Sequence, residues 1–149
     1  QVMLSAEAMR EAFIKIKERI PADSVSNKGT IVIATVKGDI HDLGKNIVSA
    51  LLENNGFKVI DLGKDIDKEE IIKVAIDNKA DMIGLCSLMT TTITQIDEVI
   101  AELNKSEYST KVMIGGAVVT QEYADNVGAD AYAPDGVEAV EIAKKLINK

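Results

Sequence analysis

The chain has 149 residues, 46% hydrophobic and 3% aromatic, with a net charge of -7. That length suits one domain with an aliphatic core, and the acidic balance argues against nucleic acid or an anionic membrane as the main partner. No apolar run nears the roughly 20 residues of a membrane span, and one cysteine, Cys86, leaves no internal disulfide.

Residues 2–20 carry a helical stripe of Val2, Ala6, Met9, Phe13, Ile16 and Ile20. Pro21 follows, and 22–29 read as a linker. From residue 30 the chain alternates. Strands are expected at 30–36, 58–62, 82–86, 111–114 and 131–133, and helices at 45–54, 67–79, 93–104, 120–127 and 137–147. Asn55-Gly56 would end the first of these helices, and Asp67 with Glu70 resembles a capping box for the second. Such alternation means an α/β fold, a doubly wound five-stranded parallel sheet. With strand order 2-1-3-4-5, three loops meet at one sheet edge: 37–46, 87–92 and 115–119. Open α/β sheets bind ligands at that edge.

The first loop holds the only histidine, His41. A lone histidine is often a plain surface imidazole. Here Asp39 stands two residues before it, able to orient one ring nitrogen, and Gly38 and Gly44 bracket the loop. The spacing of Gly38, Gly44, Lys45 and Asn46 does not make a phosphate loop, because the glycines are too far apart and Asn46 replaces Ser or Thr. A phospho-receiver domain needs a carboxylate after the third strand, where Cys86-Ser87 stand. A simple divalent-metal site from Asp39, His41 and Asp42 is open, though unsuited to structural zinc. Gly115-Gly116 is either a plain turn or a channel without Cβ atoms. Ser87 and Thr90-Thr91-Thr92 either cap the next helix, with Thr92 as N-cap, or bond a polar ligand. Cys86 reads as a small buried hydrophobe.

Asp39-x-His41-x-x-Gly44, Cys86-x-Leu88 with Thr90-Thr91-Thr92, and Gly115-Gly116 occur in that order. With the ending 128–135 they resemble the cobalamin-binding domain of corrinoid proteins from methyltransferase systems, and of methionine synthase. The resemblance covers nearly the whole chain. It implies a Rossmann-like domain over 30–149. Residues 1–29 would be a helix and linker left from a cap bundle, so the chain reads as part of a longer protein.

The resemblance further implies a carrier that shuttles a methyl group through Co(I) and methyl-Co(III), with cobalamin as cofactor. His41 would be the lower axial cobalt ligand, Asp39 would hydrogen-bond it, and Thr92 would extend the relay. Gly38, Ile40, Asp42, Leu43, Gly44, Cys86, Ser87, Leu88, Thr90, Gly115 and Gly116 would hold the cofactor. The sequence departs at Cys86, where the family has serine; a thiol is the weaker hydrogen-bond partner. The implied partners are a methyl-donor methyltransferase, a methyl-acceptor methyltransferase and a reductive activase, in the cytoplasm. A carbon-skeleton mutase subunit and a cobalamin-sensing regulator use the same motifs and stand as alternatives.

Overall fold

The computed structural model describes residues 27–148 and, before them, Ala8, Glu11, Ala12, Ile14, Lys15, Glu18 and Arg19, which are helical and exposed. The expected stripe from Val2 to Ile20 lies outside the described residues. Five parallel strands run β1 (Thr30–Thr35), β2 (Lys58–Asp61), β3 (Met82–Cys86), β4 (Lys111–Gly115) and β5 (Ala131–Tyr132). They pair in the order β2-β1-β3-β4-β5, as the alternation implies. The helices are α1 (Leu43–Asn54), α2 (Lys68–Asp77), α3 (Thr94–Lys105), α4 (Gln121–Val127) and α5 (Gly136–Leu146).

The strands are nearly continuous apolar runs because helices cover both sheet faces. Val32, Ala34, Ile83, Leu85, Val112 and Ile114 pack with side chains of α2, α3 and α4. Ile31, Met82 and Met113 face the other way, against Leu52, Ala139, Val140 and Ala143 of α1 and α5. Period-two alternation of the pleat assigns each residue to its face.

Two local expectations are corrected. Asp67 makes no side-chain cap on α2; its carboxylate pairs with Lys37 Nζ at 3.0 Å instead. Thr92 does not cap α3, whose N-cap position is Ile93 in helical conformation. Its hydroxyl turns to a charged partner in another loop.

Register sets two rows of residues beneath the binding edge, with a glycine in each. Thr35, Cys86 and Gly115 align in the upper row, and Ile33, Gly84 and Met113 in the lower. Both rows lie on the face covered by α1 and α5. The glycines leave room there, so the helices close over a cavity rather than over packed side chains.

Candidate functional site

Just past β1, Val36 makes a single bridge to Ile66, and the chain turns into the loop that carries His41. Asp39 is fully buried within this loop. Its Oδ1 accepts from His41 Nδ1 at 2.8 Å and from the His41 amide at 3.0 Å. Its Oδ2 accepts from the Leu88 amide at 2.7 Å and from Thr92 Oγ1 at 3.0 Å. Burial works to raise this carboxyl's pKa. The hydrogen bonds from Leu88, His41 and Thr92 outweigh it and hold Asp39 below its ordinary value. Ionised Asp39 keeps the proton on Nδ1, which leaves Nε2 as the nitrogen available to a ligand.

The chain of polar groups goes one step further than the sequence suggests. Ser87 Oγ lies 3.0 Å from Thr92 Oγ1, both buried. With Thr92 donating to the carboxylate, Ser87 donates to Thr92. The ordered line is Ser87, Thr92, Asp39, His41. Ser87 carries no periodic signal that distinguishes it from a capping residue, and only the fold brings it to Thr92.

His41 is half-exposed, with 46% of its side chain open. It stands at a cavity of about 870 Å³, within the size range of small-molecule sites. Ile40, Asp42, Leu43, Gly44, Ser87, Leu88, Gly115 and Gly116 line it as well. Its floor is formed by Ile33, Gly84, Cys86 and Met113, and α5 contributes Gly136 and Ala139. Gly38 and Asp39 are not part of the lining and support the loop from behind. Thr90 is exposed and also outside the lining. Cys86 lies in the wall, and burial pushes its thiol up to about 12; it is neutral and a poor nucleophile at physiological pH.

One glycine is dictated by close approach. Gly116 has φ +126, and a Cβ there would stand 1.8 Å from the Ser87 carbonyl oxygen. The turn after β4 therefore presses directly on the loop after β3, and any side chain would part them.

The open divalent-metal reading fails. Among the described residues no group of three or more His, Cys, Asp and Glu could hold a metal ion. Both oxygens of Asp39 are already taken by protein donors. What remains is one imidazole above a deep, largely apolar slot. That arrangement fits a metal that brings most of its own ligands on a large ring, together with a tail to be buried. The low polarity of the floor, the missing Cβ atoms at Gly84 and Gly115 and the free Nε2 all accord with such a group.

Comparison with known proteins agrees. A family model described as B12 binding domain matches residues 29–143. Dimethylamine corrinoid protein 1 of Methanosarcina acetivorans is 47% identical over 150 residues, covering 98% of this chain and 70% of that protein. Among solved structures, the Methanosarcina barkeri monomethylamine corrinoid protein superposes with a TM-score of 0.83 at 32% identity, over 97% of this chain and 70% of that one. The methanol:cobalamin methyltransferase complex MtaBC from the same organism matches at a TM-score of 0.79 and 36% identity, over 99% of this chain and 57% of that one.

Proposed function

The chain belongs to the B12-binding domain family, and on that premise we propose that it is a corrinoid carrier passing a methyl group between methyltransferases. One observation carries the reading: the single histidine, held at Nδ1 by a buried carboxylate, stands at the mouth of a deep apolar slot. The corrinoid, when bound, supplies a cobalt centre that accepts and releases a methyl group.

The protein's own part is binding and orientation. His41 Nε2, left free by the Nδ1 bond to Asp39, would be the atom that holds the metal. Asp39 fixes the ring's tautomer and aim through Nδ1. The Asp39 carboxylate, 2.8 Å from Nδ1, would hold the ring's orientation whether or not Nε2 is occupied. Thr92 and Ser87 keep Asp39 ionised and in place throughout. Ile33, Gly84, Cys86 and Met113 form the floor of the slot for the cofactor's nucleotide tail, with Gly115 and Gly116 leaving its side open. Ile40 and Leu88 are 64% and 41% exposed at the rim, large apolar side chains suited to lie against a broad ring.

The partners are a methyl-donating and a methyl-accepting methyltransferase, with a reductive activase as the third, in the cytoplasm. Among the described residues no helix is long and apolar enough to cross a membrane. Residues 30–149 are the proposed cofactor domain, which the family match over 29–143 supports. The relatives' names make dimethylamine the first methyl donor to assay. Anaerobic reconstitution with cobalamin, followed by transfer from dimethylamine through the donor methyltransferase, tests the reading. The chain should retain cobalamin through gel filtration and become methylated. Failure to retain any cobalamin would refute the proposal.

A further inference from the structure

The histidine loop is held from outside the cavity by the end of β2 at Asp61 and the turn that follows, residues 62–66. At the loop's upstream end, the Gly38 amide donates to Asp65 Oδ1 at 2.8 Å. The Asp65 amide donates back to the Asp39 carbonyl at 3.0 Å. One residue thus closes two bonds around Gly38-Asp39. The Ile66 amide adds a bond to the Thr35 carbonyl at 3.2 Å.

At the downstream end the turn takes hold again. The Lys45 ammonium, buried at the start of α1, lies 2.6 Å from both carboxylate oxygens of Asp61 and 2.6 Å from Asn46 Oδ1. Ser49 Oγ donates to Asp61 Oδ2 at 3.2 Å. The Gly63 amide donates to Asp61 Oδ1 at 2.8 Å, and the Thr35 amide of β1 donates to the Gly63 carbonyl at 2.9 Å, which ties the turn to the strand before the loop.

Asp65 holds φ +56, a left-handed conformation that side chains other than Asn and Asp seldom take. It is exposed and packs no core. Its conformation serves to aim its amide and its carboxylate at the same two loop residues. A loop whose imidazole must alternately bind and leave a ligand needs a backbone that does not follow the side chain.

We propose that Asp65 is a positioning residue for His41, with the Asp61–Lys45 pair anchoring the loop's far end. The inference rests on the carrier reading for its purpose, though the contacts stand without it. Asp65→Gly keeps the left-handed backbone and removes the carboxylate. Asp65→Asn keeps both the conformation and an acceptor at Oδ1. Two readouts serve. One is the imidazole nitrogen signals of ligand-free chain labelled with 15N-histidine, which come from His41 alone. The other is cobalamin affinity by visible titration.

Asp65→Gly should shift or broaden the imidazole signals and weaken cobalamin about tenfold, the scale of one charge-assisted hydrogen bond. Asp65→Asn should stay within about twofold of wild type. The proposal is overturned if Asp65→Gly matches wild type in both readouts, or if Asp65→Asn fails as badly as Asp65→Gly. Should wild type itself take up no cobalamin, the carrier reading falls, while the imidazole signals still judge Asp65.

Discussion

The carboxylate of Asp39 meets four donors: the His41 amide, the His41 ring, the Leu88 amide and the Thr92 hydroxyl. Two of them come from the loop after β3, so this one side chain ties the histidine loop to its neighbour. Its depressed pKa has a signed consequence. A carboxyl depressed in the folded state contributes stability above its unfolded value of about 3.9, and that contribution is lost as pH falls through the folded value. Asp39→Asn loses the charge and at least one acceptor, and should cost about 2 kcal/mol at neutral pH. Urea unfolding from pH 7 to pH 3 checks this. The gap between wild type and Asp39→Asn should narrow as the pH drops below about 4; a gap that stays constant would mean that Asp39 is not ionised in the folded chain. His41, Asp39 and Thr92 were legible because motif order and sheet edge coincide in the sequence. Ser87's link to Thr92 was not, since a hydroxyl five residues away reads equally well as a cap.

At the level of elements, the strands were legible to within a residue or two, because alternating apolar runs flanked by helical patterns leave little freedom in a parallel sheet. α1 begins at Leu43, two residues earlier than its apolar period suggests, as Gly44 obscures a first turn held by the Asn46 amide to the Asp42 carbonyl. The turn after β2 was not legible as part of the site. Its partners lie 16 and 27 residues away, Lys45 from Asp61 and Gly38 from Asp65, and no periodicity announces such pairs. The slot itself comes from register, with Gly84 between Ile33 and Met113. A Cβ at Gly84 would stand 3.2 Å from Ile33 Cγ1. Gly84→Val should therefore fill the lower row at a folding cost of about 1–3 kcal/mol. It should weaken cobalamin about tenfold or more, equivalent to about 1.4 kcal/mol. Cobinamide, which lacks the nucleotide tail, should bind it as it binds wild type. Equal losses for both ligands would show that the slot does not hold the tail.

Across the whole molecule, function follows from topology. The order β2-β1-β3-β4-β5 brings the loops after β1, β3 and β4 together, and each delivers one component: His41 with Asp39, Thr92 with Ser87, and Gly115 with Gly116. No component is adjacent in sequence to the others, yet each lies at a strand's C-terminal end, where the sheet leaves backbone groups and space for a ligand. The central claim is that this assembly places the single imidazole on the cofactor's metal. Electron paramagnetic resonance of the chain bound to Co(II) cobalamin tests it directly, comparing protein labelled with 15N-histidine against unlabelled protein. The one histidine makes the label unambiguous. The nitrogen splitting should change from a triplet to a doublet on labelling. A triplet that persists would place the cofactor's own base on the metal and contradict the account.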